Sequence, residues 1–318
     1  MRIMRASIEI RKRFIMNTKE FIISSSSDGL ALSALLIQPD TALKGVIVIL
    51  HGMAEHKERY VDFMQACAKV GYAALIYDHR GHGESVCSKD DYGYFYEEDA
   101  CYIVEDVKDV IDQVRQVFPS VPVILFAHSM GTLVARLYCK KYDDTIDKLI
   151  LSGPVVKNPL VTAALFLTKV LSLCFGKHHR SHFIQSLAFG GYDRKFEGTH
   201  ENRWLSENMH NVMAYNAEEK DGFIFTLNGF KNLFLMVKRT FDGKGWKVKN
   251  PNLPILFLAG ENDPVIGSEK QLHQAEDDMR KQGYDRMEEK IYPHMRHEIL
   301  QEEKKDTVIH DILDFIES

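Results

Sequence analysis

Apolar positions along the chain fall into two alternating rhythms. Short unbroken apolar runs recur at 44–50 (KGVIVIL), 72–77 (YAALIY), 121–126 (VPVILF), 149–152 (LILS) and 254–259 (PILFLA). Runs of this length with almost no polar break mark strands buried on both faces of a sheet. Between them, apolar residues stand three and four apart at 60–70, 103–118, 132–142, 269–281 and 305–315. That spacing predicts amphipathic helices. A further strand is predicted at 288–292. Two more, at 21–26 and 30–38, flank a Ser27-Asp28-Gly29 hairpin signal. Strands alternating with helices imply right-handed crossovers and a mostly parallel α/β sheet.

The rhythm breaks between about 155 and 248. This stretch has apolar helical segments but no buried strand pattern, and reads as a helical cap inserted into a core formed by 18–154 and 249–318. Within it, Asn158-Pro159 signals a helix start and Gly176 a helix end. The helix between, from Leu160 to Phe175, is apolar almost all round. Such a helix is either packed on the core or presents apolar surface to lipid. It is too short and too interrupted to span a bilayer.

Composition narrows the picture in three places. The 318 residues are 45% apolar and 27% charged, as in a soluble globular chain with one large domain or one domain plus an insertion. A net charge of −5 without a basic stripe argues against a nucleic-acid partner. The five cysteines (Cys67, Cys87, Cys101, Cys139, Cys174) are odd in number and scattered. They argue against a zinc site or a disulfide framework and point to a reducing, cytoplasmic setting. The basic start, residues 1–17, lacks an apolar run long enough for a signal-peptide core. The expectation is an unstructured leader, with the fold beginning near Thr18 and Met16 a plausible functional start.

In open parallel sheets ligands bind beyond the carboxyl ends of the strands. The unusual sequences here all follow strand ends. Ala127-His128-Ser129-Met130-Gly131 sits between a strand and a helix. A serine on so tight a turn, between small residues, has the form of a nucleophile elbow, with Ala127 in place of the usual first glycine. Downstream come Gly260-Glu261-Asn262-Asp263-Pro264 and Tyr292-Pro293-His294-Met295-Arg296-His297. Serine, acid and histidine in this order suit a nucleophile, an orienting carboxylate and a base. Glu261 competes with Asp263, and His294 with His297; we prefer Asp263 and His297. An oxyanion site needs two backbone donors. Met130, after the nucleophile, supplies one, and Met53, in the loop after the strand ending at Leu50, supplies the other. His51 is read as a loop-holding residue.

These motifs, with His51-Gly52-Met53-Ala54-Glu55-His56-Lys57-Glu58-Arg59-Tyr60, Tyr77 to Ser85 (YDHRGHGES) and Arg296 to Leu300 (RHEIL), resemble the monoacylglycerol lipase/lysophospholipase branch of the α/β-hydrolases. The resemblance runs from about residue 18 to the end. It implies a cofactor-free serine hydrolase, without a metal, with Ser129, Asp263 and His297 as triad. It implies a lipid-like ester substrate, such as a monoacylglycerol or lysophospholipid. A general carboxylesterase or thioesterase is the alternative within enzymes. A non-catalytic module on the same scaffold would be expected to have lost a triad member. In lipases of this group the residues matching Glu55 and Arg59 help line a pocket for the glycerol head. The other reading of that pair is a helical ion pair four residues apart. Three departures stand out: Ala127 in the elbow, His294 as a second imidazole near the base, and Leu300 where animal relatives carry a pocket histidine. The apolar helix from Leu160 to Phe175 raises the expectation of transient membrane-surface contact, peripheral to an otherwise cytoplasmic protein.

Overall fold

A computed structural model describes residues 17–318. The expected leader therefore lies, apart from Asn17, outside the described residues. Among the described residues eight strands form one sheet: β1 (Thr18–Ser24), β2 (Ala31–Ile37), β3 (Gly45–Leu50), β4 (Tyr72–Tyr77), β5 (Val123–His128), β6 (Lys148–Ser152), β7 (Ile255–Gly260) and β8 (Met287–Tyr292). Their order is β1-β2-β4-β3-β5-β6-β7-β8. The first two strands form the predicted hairpin and join antiparallel to β4, while β3 to β8 run parallel.

The unbroken apolar runs occupy the centre, and successive residues serve opposite faces. Val46, Val48 and Leu50 enter one core cluster, Ile47 and Ile49 the other. Helices α1 (Val61–Lys69) and α9 (Lys305–Glu317) cover the second face. The first face is covered by α2 (Tyr102–Val117), α3 (Met130–Tyr142), α7 (Leu227–Thr240) and α8 (Glu269–Gln282).

Between β6 and β7 lie α4 (Val161–Phe175), α5 (His182–Phe189), α6 (Met209–Ala217) and α7, with no strand of the sheet among them. Helix α7 packs on α3 and α4 and places Phe230, Leu233 and Met236 in the sheet-face core. The last helix of the segment 155–248 is thus also a flank of the sheet. Its Asn228 and Asn232 side chains accept the Phe95 and Ala100 N–H groups, pinning the loop before α2.

The chain moves from β3 to β4 on one side, then crosses to β5 on the other. Loops leaving β3 and β5 therefore diverge and open a crevice at their carboxyl ends, where such sheets bind ligands.

Candidate active site

Ser129 stands between β5 and α3, with φ 51° and ψ −117°. Its N–H donates to Ser152 O at 2.9 Å, tying the turn to β6. Thr132 Oγ1 donates to Ser129 O at 2.6 Å and anchors the first turn of α3. Gly131 is required here, because a Cβ would strike the carbonyl oxygens of Leu50 and His51. Ala127 is buried in the sheet opposite Leu50, so a methyl fits at the position where the motif usually has glycine.

The loop after β3 lies against this turn. A Cβ on Gly52 would sit 3.1 Å from Ser129 Cβ. His51 holds the loop: its Nδ1 pairs with Gly52 O at 2.8 Å and its Nε2 accepts His79 N–H at 2.9 Å. Burial brings the His51 pKa down to about 3, so the ring is neutral. Met53 follows in the same loop, and Met130 is the first residue of α3.

Asp263 follows β7 and His297 follows β8. Asp263 Oδ2 meets His297 Nδ1 at 2.8 Å, while Oδ1 accepts Val265 N–H at 2.8 Å. Both side chains are almost fully buried. Burial opposes the charged imidazolium, but the charge and hydrogen bond of Asp263 outweigh it. Glu298 and Glu55 add to this, and the His297 pKa lies above its ordinary value. Gly153, with φ 54°, passes beside the pair, and a Cβ there would lie 2.8 Å from His297 Cε1. The competing acid Glu261 is engaged elsewhere, accepting His294 N–H at 3.0 Å.

One expectation is corrected. His294 is not the second imidazole beside the base. It lies exposed on the turn after β8. The ring against His297 is His128, from inside the elbow motif, with centroids 4.7 Å apart. Burial lowers the His128 pKa to about 4, helped by the neighbouring His297. A neutral ring there spares His297 a second positive charge. Trp204 packs on His297 from the segment between α5 and α6, at 5.1 Å.

Glu55 and Arg59 form the four-apart ion pair at 3.1 Å, but the pair is only part of a larger cluster. Arg59 forks onto Glu298 at 2.6 and 2.7 Å and reaches Asn211 Oδ1 at 3.0 Å. Asp221 lies 3.5 Å from its Nε, and Tyr215 packs 4.9 Å beneath its guanidinium. Glu55 accepts from Gly52 N–H at 2.5 Å and from Tyr60 Oη at 2.9 Å. Burial would raise the Glu298 pKa, yet the charge and hydrogen bonds of Arg59 hold it below the carboxylate range. A cavity of about 10 Å³, room for about one water, is lined by Glu55, His128, Ser152, Glu298 and Leu300. Of these neighbours, sequence reasoning passed over His128 and Glu298 although both lie inside quoted motifs. Trp204, Asn211, Tyr215 and Asp221 carry no sequence signal, because only the folding of the segment between β6 and β7 brings them here.

A sheet of this topology, with a serine elbow after β5 and a buried Asp–His pair after β7 and β8, defines an α/β-hydrolase, and the protein is a hydrolase. More narrowly, the chain belongs to the serine aminopeptidase, S33, family, whose model matches residues 41–304. It is 27% identical over 293 residues to the monoacylglycerol lipase of Mycolicibacterium smegmatis, covering 88% of this chain and 90% of that protein. It is 32% identical over 129 residues to "Probable lysophospholipase L2" of Haemophilus influenzae, covering 39% of this chain and 41% of that protein. Its fold matches that of a thermostable carboxyl esterase from Bacillus coagulans with a TM-score of 0.87. That match covers 95% of this chain and 98% of the esterase at 22% identity.

Proposed function

We propose that the protein hydrolyses carboxylic esters of lipid type, such as monoacylglycerols or lysophospholipids, through an acyl-enzyme. The observation that carries this reading is the buried Asp263–His297 hydrogen bond beside the Ser129 elbow. Similarity to a monoacylglycerol lipase over most of both chains supports the lipid-ester class.

In this reading His297 Nε2 takes the Ser129 hydroxyl proton as Oγ attacks the ester carbonyl. Asp263 fixes the tautomer with the proton on Nδ1 and stabilises the imidazolium. The Met53 and Met130 N–H groups receive the oxyanion. The intermediate collapses, His297 returns the proton to the leaving alcohol, and the acyl group stays on Ser129. Water, deprotonated by His297, then releases the carboxylic acid and restores the serine.

Glu55 and Arg59 are proposed to shape the floor of the leaving-group pocket. The donors of Arg59 are already taken up by Glu55, Glu298 and Asn211, which supports a framework role over direct recognition of a head group.

We also propose that the cap rests transiently on lipid. Among the described residues, no helix is long and apolar enough to cross a membrane. Helix α4 instead exposes Phe166 and Leu173 at 71% and 81%, and α5 exposes Phe183 and Leu187. Its other side, including Leu165, Leu167 and Leu171, packs on the core.

The test is a Ser129→Ala protein assayed with monoacylglycerols, lysophospholipids, short p-nitrophenyl esters and an aminoacyl p-nitroanilide. Turnover of the esters and labelling by a fluorophosphonate should both vanish. Full esterase activity in the variant, or wild-type activity confined to the anilide, overturns the reading.

A further inference from the structure

Ala54, in the loop after β3, has φ 52° and is buried. This left-handed conformation is easy for glycine but costly for a residue with a Cβ. Such strain persists only where the surroundings over-determine it. Here the holding groups come from the inserted segment. Tyr215, on α6, donates its Oη to Ala54 O at 3.0 Å, and Gly222 N–H donates to the same oxygen at 2.9 Å. The Tyr215 ring is itself wedged beneath Arg59, which also grips Asn211 of α6 and Glu298 beside His297.

The residue before Ala54 is Met53, whose N–H is the proposed second oxyanion donor. The loop is fixed on one side by Gly52 N–H on Glu55 and on the other by Ala54 O. Rotation at Ala54 toward a relaxed, negative φ would turn the intervening peptides and re-aim the Met53 N–H.

We propose that Tyr215 is a positioning residue: with Gly222 it holds Ala54 left-handed, so that the oxyanion site is complete only while the cap is seated on the core. This inference rests on the ester-hydrolase reading. Under it, enclosure of the substrate by the cap and assembly of the oxyanion site are one event. A lifted cap, free to admit a lipid, has a slackened oxyanion loop.

The experiment compares wild type, Tyr215→Phe, Ala54→Gly and the double variant on a small soluble p-nitrophenyl ester, with fluorophosphonate labelling and melting curves for each. Misplacing an oxyanion donor lowers turnover by less than deleting it, so Y215F should lower kcat about tenfold and leave KM within about twofold. With glycine at 54 the left-handed state needs no support, so the same Tyr215→Phe change should cost no more than about threefold. A54G alone should keep or raise Tm, since it relieves strain, whereas an ordinary buried alanine-to-glycine change lowers it. The proposal is overturned if Y215F matches wild type, if it costs the same factor with Ala54 as with glycine there, or if its effect falls on KM. A lowered Tm for A54G overturns it without reference to Y215F. Wild-type protein that neither hydrolyses esters nor labels at Ser129 removes the ester-hydrolase reading, and this inference with it. Labelled, active wild type with an indifferent Y215F removes this inference alone.

Discussion

Replacing Arg59 by methionine removes the guanidinium shared by Glu55, Glu298 and Asp221. These side chains are 9% exposed for Arg59, 5% for Glu55 and Glu298, and 3% for Asp221. Deleting one partner of a buried pair costs about 3–5 kcal/mol, because the remaining charge is stranded in a poorly solvating site. Glu55 keeps its bonds from Gly52 and Tyr60, and Glu298 keeps Asn211, so the lower end, about 3 kcal/mol, is expected. With an unfolding entropy of about 2.1 cal/mol/K per residue, a chain of 318 residues should lose about 4–5 °C of Tm. The loss has a pH signature. Arg59 depresses the Glu298 pKa, so their attraction stabilises the fold above the unfolded carboxyl pKa, about 4.3, and fades as pH falls through the folded value. In R59M burial raises the stranded Glu298 and Asp221 carboxyls, which take up protons as pH falls. The Tm difference from wild type should therefore be largest at pH 7–8 and shrink toward pH 5. Arg59→Lys, with a charge but no fork, should fall between the two. Scanning calorimetry at pH 8, 7, 6 and 5 reads this out. An unchanged Tm at pH 8, or a deficit that stays constant from pH 8 to 5, refutes the account of Arg59 as a buried counter-ion.

Three further outcomes are expected. Asp263→Asn keeps the shape of the pair but favours the wrong imidazole tautomer, and should lower kcat by about 10⁴ in steady-state ester assays. The base must be neutral and its pKa is raised, so kcat/KM should fall as pH drops through a value above 6.5, while Glu298→Gln, which removes one of the charges raising it, should move that acid limb to lower pH in a pH–rate profile. Leu173→Glu should reduce co-sedimentation with liposomes and leave Tm unchanged, whereas Leu167→Glu, on the packed side of α4, should lower Tm; equal liposome binding by L173E and wild type would remove the membrane proposal.

Much of the frame was legible because it is local. The buried runs became the central strands within about two residues, since an unbroken apolar segment of that length has few other places to go. The elbow was legible because a tight strand-to-helix turn admits only small neighbours, and Gly131 shows the constraint in its contact with the Leu50 and His51 carbonyls. Loop position alone favours Asp263 over Glu261, and the geometry puts Asp263 on His297 while Glu261 caps the turn at His294. The reading of His294 as a neighbour of the base failed for a related reason. Closeness in sequence says little about proximity when the chain turns between the two, and the left-handed turn at His294 leaves it exposed.

What the sequence determined by itself was the order of strands and helices, the strand ends where chemistry could gather, and the candidate serine, acid and base. Short-range sterics and hydrophobic periodicity decide these, and both are written in consecutive residues. Tertiary structure alone decided the company those residues keep. Arg59 could be read as a ligand for glycerol or as half of an ion pair. Folding gave it Glu298 from the loop after β8, together with Asn211 and Asp221 from the segment inserted before β7. Ala54 looked like any small loop residue until Tyr215 and Gly222 closed on its carbonyl. These contacts span more than 150 positions of chain. A buried charge or a strained peptide is tolerable only when distant segments meet to satisfy it, and no local pattern encodes that meeting.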